Sequence, residues 1–231
     1  MKMIGLIGGL SWESSAVYYR LINQQARNRL GPTASARCLL WSFNFADIQR
    51  LQRGADWSAL ADELTDAACR LEGAGADILL ICSNTMHQMA DAVQQAVSIP
   101  LLHIADPTAV RITSEGIGRV GLIGTTTTMQ HEFYKGRLSA KHGLDVLVPE
   151  EGDQVTVHRI IHEELIAGIN RPDSKLALRS LIGRLVDRGA EAIILGCTEL
   201  MLLVGDEDSA VPLFDTATLH AEAAVAMALQ D

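Results

Sequence analysis

Gly75-Ala76-Asp77-Ile78-Leu79-Leu80-Ile81-Cys82-Ser83-Asn84-Thr85 returns, altered, as Gly189-Ala190-Glu191-Ala192-Ile193-Ile194-Leu195-Gly196-Cys197-Thr198-Glu199. The offset is constant at 114 residues (189 − 75). Both copies place a short aliphatic run between an acidic residue and a group of small polar residues, the pattern of a parallel strand buried on both faces. Where the copies differ most in chemistry, Ser83 stands opposite Cys197.

The match extends in both directions, which separates it from the chance similarity of short apolar runs. Met3-Ile4-Gly5-Leu6-Ile7-Gly8-Gly9 aligns with Arg119-Val120-Gly121-Leu122-Ile123-Gly124-Thr125 at offset 116 (119 − 3), and Ile99-Pro100-Leu101-Leu102 aligns with Val211-Pro212-Leu213-Phe214 at offset 112 (211 − 99). Leu64, Arg70 and Leu71 return as Leu178, Arg184 and Leu185. In-order matches with slightly drifting offsets indicate a duplication with small insertions and deletions. The period is far longer than the roughly 20–50 residues of solenoid repeats. A 231-residue chain so divided has two lobes of roughly 100 residues, each large enough for its own core.

Strand-like segments at 3–8, 36–43, 77–82, 101–104, 118–124, 144–148, 191–196 and 211–214 alternate with amphipathic stretches near 14–29, 57–73, 85–96, 107–115, 129–140, 153–167, 174–188 and 216–229. This alternation predicts an α/β fold of two pseudo-symmetric lobes, each a parallel four-stranded sheet flanked by helices. The boundaries fall at 1–98 plus 216–231 for one lobe and 99–215 for the other, with the active site expected in the cleft between them.

Composition narrows the class. A net charge of −9 without a Lys/Arg stripe disfavours nucleic acid or an anionic membrane surface as partner. No apolar run approaches the roughly 18 residues of a membrane helix, and no basic segment precedes a cleavage site, so a cytoplasmic location is expected. Cys38, Cys69, Cys82 and Cys197 have no CxxC spacing, and no GxGxxG is present. Neither a metal nor another cofactor is expected.

In open parallel sheets ligands bind beyond the carboxyl ends of the strands. Gly8-Gly9-Leu10-Ser11, Ser83-Asn84-Thr85, the Thr125 to Thr128 segment and Cys197-Thr198-Glu199 all follow strands, so they share the ligand-facing rim of their sheets. Asn84, Thr85 and Thr198 lead into helical segments, whose first amides can hold a carboxylate. Those amides are also expected to lower the Cys197 thiol from its usual pKa of about 8.5. Gly8 and Gly9 are expected to let the backbone approach a small ligand. Ordinary helix capping competes with ligand contact at Asn84, Thr85 and Thr198. A buried small hydrophobe is the alternative for Cys197. His87 reads as a structural hydrogen-bonding group, and His103 and Asp106 as braces of the rim.

Together, the N-terminal Gly-Gly, Ser83-Asn84-Thr85-Met86-His87 in place of Cys-Asn-Thr-x-His, Gly124-Thr125 with Thr128, and Gly196-Cys197-Thr198-Glu199 resemble the aspartate/glutamate racemase family over essentially the whole chain. The opening Ile4 to Ser14 and the Phe43 to Trp57 segment resemble its enterobacterial, aspartate/glutamate or broad-specificity branch. The resemblance implies a PLP-independent racemase of amino acids, a homodimer, with Ser83 and Cys197 as acid/base groups on opposite faces of Cα. Leu10, Gln52, Ser83, Asn84, Thr85, Thr125, Thr128, Glu164, Thr198 and Glu199 are the implied substrate contacts.

Two departures from the family pattern matter. Ser83 replaces a cysteine, and a hydroxyl is a far weaker base unless a neighbour activates it. Cys82 is adjacent but points to the other side of its strand. The basic residues with which aspartate-specific relatives hold the distal carboxylate are replaced by Ile48 and Ile166, with Arg50, Gln52, Arg53 and Glu164 nearby. The competing readings are a single-cysteine decarboxylase of the arylmalonate type and an amino-acid-binding protein with impaired catalysis.

Overall fold

The computed structural model describes residues 1–230, so the last residue of the expected first lobe, 231, lies outside the described residues. The chain forms two units, Met1–Ile104 with the segment from His220, and Ala105–Leu219. Passage between them occurs at 104/105 and again within the last helix at 219/220.

The first unit is built on a parallel sheet in the order β2-β1-β3, with β1 Ile4–Gly8, β2 Cys38–Ser42 and β3 Ile78–Ile81. The second repeats it as β5-β4-β6-β7, with β4 Arg119–Gly124, β5 Asp145–Leu147, β6 Ala192–Gly196 and β7 Leu213–Asp215. Every residue of β1, β3 and β6 is buried, as expected of strands covered by helices on both faces. The expected fourth strand of the first unit shrinks to one bridge, Leu79 to Leu101. There Leu79 N donates to Pro100 O and Leu102 N to Leu79 O before the chain turns into α5 at Ala105.

The duplication survives in the strand register. Ile7 pairs with Ile81 and Ile123 with Leu195; Leu79 meets Leu101 and Ile193 meets Leu213. Each pairing maps onto the other through the offsets of the sequence repeat. The acidic residue of the repeat serves the same purpose in both units: Asp77 Oδ2 accepts from Met3 N at 2.6 Å, and Glu191 Oε2 accepts from Arg119 N at 2.9 Å and Gly118 N at 3.0 Å. These amides begin the strands and would otherwise lack a ladder partner. Gly75 and Gly189 have φ of 95° and 94°, a region in which Cβ is strained, and each turns its chain from a helix into a central strand.

Helices cover the sheets: in the first unit α1 Trp12–Leu30, α2 Phe45–Arg53, α3 Trp57–Gly73 and α4 Ala90–Ala96; in the second α5 Ala105–Ser114, α6 Thr126–Gln130, α7 Glu132–His142, α8 Glu151–Glu163 and α9 Pro172–Asp187. The closing helix, α10 Thr216–Ala228, contains the second crossing. Leu60, Leu64 and Leu71 of α3 and Leu178, Leu181 and Leu185 of α9 fill corresponding cores against the sheets. Full burial of each such side chain contributes about 1.5–3 kcal/mol.

Several local readings change. The stretch at 129–140 is two helices because His131 adopts an extended conformation, φ −87° and ψ 148°. The stretch at 85–96 starts as a 3₁₀ turn, Thr85–Met89, and the end of 153–167 is another, Leu165–Ala167, stopped by Gly168 at φ 71°. Helix α2 is absent from the sequence reading, although Asn44, whose side chain accepts from Ala46 N, caps its start.

Asp106 ties α5 to α7. Its carboxylate accepts from Arg137 Nε and Nη2, both at 2.7 Å, from Lys141 Nζ at 2.7 Å and from His142 Nε2 at 3.0 Å. Burial alone would raise its pKa, but the hydrogen bonds from Arg137, Lys141 and His142 outweigh that and hold it below the usual carboxylate range. A carboxyl depressed in the folded state adds stability above its unfolded pKa of about 3.9 and loses it as pH falls toward the folded value. Asp106→Asn is expected to cost about 2 kcal/mol at pH 7. Thermal melts should show the gap between variant and parent beginning to narrow as pH falls below about 4 and continuing to narrow toward the folded value. A gap independent of pH would mean that the ionised clamp is not its source.

Candidate active site

The first unit places its site residues at the carboxyl ends of β1 and β3, which are neighbours. Leu10 is buried in the loop after β1. Its glycines are required by packing within the unit: a Cβ on Gly9 would lie 2.2 Å from Phe43 N, and one on Gly8 2.6 Å from Ser15 Oγ. The expectation that they admit a ligand is thus corrected, because protein atoms already occupy that space. Gly9 N donates to Ser15 Oγ at 2.8 Å. Ser11, whose side chain the sequence reading did not single out, is 3% exposed, and its Oγ has no hydrogen-bond partner among the described residues. Buried hydroxyls without such a partner are uncommon in folded chains. Its position before α1, in a run that reads Gly-Gly-Leu-Ser, was the available signal.

Ser83 follows β3 and is half-exposed, whereas Asn84 and Thr85 are buried. The Ser83 hydroxyl is loosely held, with Met86 N at 3.5 Å from Oγ. The Ser83 carbonyl is held tightly by His87 Nδ1 at 2.7 Å. Cys82 is completely buried in the core, and burial pushes its thiol pKa up. Gln52 lies half-buried on α2. Ile48 belongs to the core, and Arg50 is exposed with Asp47 Oδ1 at 3.5 Å.

The second unit places Thr125 and Cys197 directly after the paired residues Gly124 and Gly196. Thr125 Oγ1 accepts from Thr128 N at 3.2 Å and lies 3.0 Å from Thr128 Oγ1, so Thr125 caps α6 while Thr128 is fully buried. Thr126 N donates to His158 Nδ1 at 3.3 Å. Glu164 sits where α8 turns toward α9, accepting from Arg159 Nη1 at 2.8 Å and Ser174 Oγ at 2.6 Å. The bond from Ser174, then that from Arg159, holds its pKa down against the effect of burial. Its carboxylate therefore has a structural duty at that turn.

Cys197, Thr198 and Glu199 form one hydrogen-bonded group. Cys197 Sγ donates to Glu199 Oε2 at 3.0 Å, and Thr198 Oγ1 donates to the same oxygen at 2.8 Å. All three residues are buried. The expected lowering of the thiol pKa is reversed: burial, then the charge of Glu199, raise it well above its ordinary value. Backbone N–H groups of Glu199 and Thr198 pull the other way but are outweighed. The first helical segment after β6 is a three-residue 3₁₀ turn, Leu200–Leu202, which has no long helix dipole to stabilise a thiolate.

The chain belongs to the Asp/Glu/hydantoin racemase family, whose model matches residues 7–224. It is accordingly an isomerase, an amino-acid racemase of the cofactor-independent type. It is 28% identical over 176 residues to the broad-specificity amino-acid racemase RacX of Bacillus subtilis, a match covering 75% of this chain and 74% of that protein. Among solved structures, a candidate Asp/Glu racemase from Yersinia pestis superposes with a TM-score of 0.93 at 49% identity, covering 100% of both chains. An aspartate racemase homologue from Pyrococcus horikoshii superposes at 0.86 with 34% identity, again over 100% of both. Arylmalonate decarboxylase, at 14% identity and a TM-score of 0.55, shares the fold alone.

Neutralising Glu199 removes the charge that, after burial, does most to raise the thiol pKa. In Glu199→Gln, alkylation of Cys197 by iodoacetamide at pH 7.5, followed by peptide mass spectrometry, is expected to accelerate roughly threefold for each unit by which the pKa falls, the gain in thiolate being partly offset by its lower nucleophilicity. An unchanged or slower reaction would remove Glu199 as the cause.

Proposed function

We propose that the protein racemises amino acids with Cys197 and Ser83 as the acid/base pair, one acting on each face of Cα. The observation that carries this reading is the Cys197–Glu199 hydrogen bond of 3.0 Å at the end of β6. Its place in the sequence repeat corresponds to that of Ser83. A thiol whose pKa is raised needs an acceptor before it can serve as a base, and Glu199 is in hydrogen-bonding contact.

In the proposed sequence Glu199 takes the thiol proton, and the Cys197 thiolate removes the Cα proton. Ser83 Oγ–H then protonates the carbanion from the other face. Ser83, being half-exposed, regains a proton from solvent, and Glu199 returns its own to solvent. Asn84, Thr85, Thr198 and the orphan hydroxyl of Ser11 supply polar groups suited to the α-carboxylate. Leu10, Gln52, Thr125, Thr128 and Glu164 complete the proposed substrate contacts, the last three in part through their hydrogen bonds to neighbours.

We propose a substrate range that extends beyond aspartate and glutamate to neutral amino acids. Supporting it are the core position of Ile48, the pairing of Arg159 with Glu164, and the broad specificity in the name of the Bacillus relative. A cytoplasmic location and a homodimer complete the proposal. Four free thiols support a reducing compartment, and no described helix is long and apolar enough to cross a membrane. Exposed Trp12 and Tyr19 on α1 support self-association. A single-thiol decarboxylase is the second reading, favoured by the serine at 83 and tested by release of carbon dioxide from an arylmalonate.

The direct test is Cα proton exchange in deuterated water, followed by NMR with aspartate, glutamate and neutral amino acids. Cys197→Ala is expected to abolish exchange with the fold intact; substantial residual exchange would move the base elsewhere. Because a racemase equilibrates to equal amounts, kcat/KM must be equal in the two directions, and asymmetry between thiol and hydroxyl shows only in the separate kcat and KM values. The L enantiomer is the expected faster starting substrate. Ser83→Cys is then expected to raise kcat from the slower enantiomer more than from the faster, by up to about 10²–10⁴-fold. If neither direction gains, Ser83 is not the second acid/base group.

A further inference from the structure

A group of buried imidazoles in the first unit takes no part in the proton transfers above. His87, His103 and His220 are all buried, with ring centroids 4.6 Å apart for His87 and His103 and 5.8 Å apart for His87 and His220. Hydrogen bonding assigns a tautomer to two of them. His87 Nε2 accepts from Ile104 N at 3.1 Å, so it carries no proton, and His87 Nδ1, 2.7 Å from the Ser83 carbonyl, must be the N–H. His220 Nε2 donates to Leu102 O at 2.8 Å, which leaves Nδ1 to accept from Tyr18 Oη–H at 2.8 Å.

The two rings hold the segment at which the chain leaves the first unit. Ile104 is the last residue before the first crossing, and His220 is the first residue after the second. His87 thus joins the backbone at position 83 to a fixed point on a different element. This connection matters because Ser83 has left the β3 ladder and its hydroxyl is 3.5 Å from Met86 N, at the limit of a hydrogen bond. The position of the hydroxyl is therefore inherited from the backbone, and the shortest polar contact on that backbone is the 2.7 Å bond from His87.

We infer that His87 is a positioning residue for Ser83: its imidazole, held in one tautomer between the Ser83 carbonyl and the Ile104 amide, sets where the Ser83 hydroxyl stands beyond β3. This inference rests on the reading of Ser83 as an acid/base group. Displacement of a reacting atom by about 1 Å can cost on the order of a hundredfold in rate. His87 acts on turnover through Ser83 and need not touch the substrate.

Two substitutions separate the two hydrogen bonds. His87→Asn places an amide N–H near the former Nδ1 and keeps the donor to Ser83 while losing the acceptor for Ile104. His87→Gln places a carbonyl near the former Nε2 and keeps the acceptor while losing the donor. Racemisation from each enantiomer, followed by circular dichroism, and thermal melts are measured for both variants and for Ser83→Ala. The expected result is kcat within about threefold of the parent for His87→Asn and a loss of about tenfold or more for His87→Gln, with KM little changed and similar falls in Tm. Equal losses of kcat in the two variants, losses that follow Tm, or a change confined to KM would overturn the positioning role. Unimpaired racemisation in Ser83→Ala would overturn the reading of Ser83 itself, and the role of His87 with it. If Ser83→Ala is inactive while His87→Gln turns over normally, only the role of His87 fails. Nitrogen-15 chemical shifts of the unmodified protein give a check that needs no variant: they should show His87 as the neutral Nδ1–H tautomer at pH 7.5, and any other form would overturn the assignment.

Discussion

Parallel pairing of the two central strands in each unit is the constraint on which the site depends. Ile7 beside Ile81 and Ile123 beside Leu195 bring the ends of two strands to the same edge of each sheet. The loop from Gly9 to Ser11 therefore neighbours the segment from Ser83 to Thr85, and Thr125 neighbours Cys197. The approach is close enough that a Cβ on Gly124 would lie 2.7 Å from Gly196 O. A shift of one residue in either pairing would exchange the faces of the side chains. In the first unit it would trade the rim hydroxyl of Ser83 for the buried thiol of Cys82.

The duplication supplied equivalent positions that have since acquired different chemistry. In the second unit a buried thiol shares its proton with a carboxylate two residues away, while the first unit carries Asn84 and Thr85 where the second has Thr198 and Glu199. Desolvation penalises a thiolate, and a neighbouring negative charge penalises it further. Cys197 is thus kept protonated at rest. Ser83 has a half-exposed hydroxyl and a backbone held by a neutral histidine.

Polar residues at strand ends can serve the fold and the ligand at once, and the structure apportions those duties unevenly. Thr125 is a helix cap whose hydroxyl is already bonded to Thr128, and Glu164 fastens the turn between α8 and α9 to Ser174 and Arg159. Ser11 has the opposite character, since burial has removed its hydroxyl from solvent without supplying a partner among the described residues. Such an imbalance has a free-energy cost unless something else completes the hydrogen bond.

By itself the sequence determined the duplication, the central strand segments and the strand-end positions of Ser83 and of Cys197, each within its own unit, because these depend on local periodicity and on the order of strands. The offsets of 114 and 116 residues reappear as strand register, since backbone pairing conserves spacing when side chains diverge. Helix α2 escaped because its short apolar pattern, Ile48 and Leu51 after the Asn44 cap, lies among charged residues. Tertiary structure alone decided the direction of the Cys197 pKa shift, the space that requires Gly8 and Gly9, and the tautomers of His87 and His220. Each depends on atoms distant in sequence or on solvent exclusion: Phe43 over Gly9, Ile104 against His87, and the burial that sets Glu199 against the thiol. Linear spacing carries no record of desolvation, and desolvation determines whether a thiol beside a carboxylate keeps its proton.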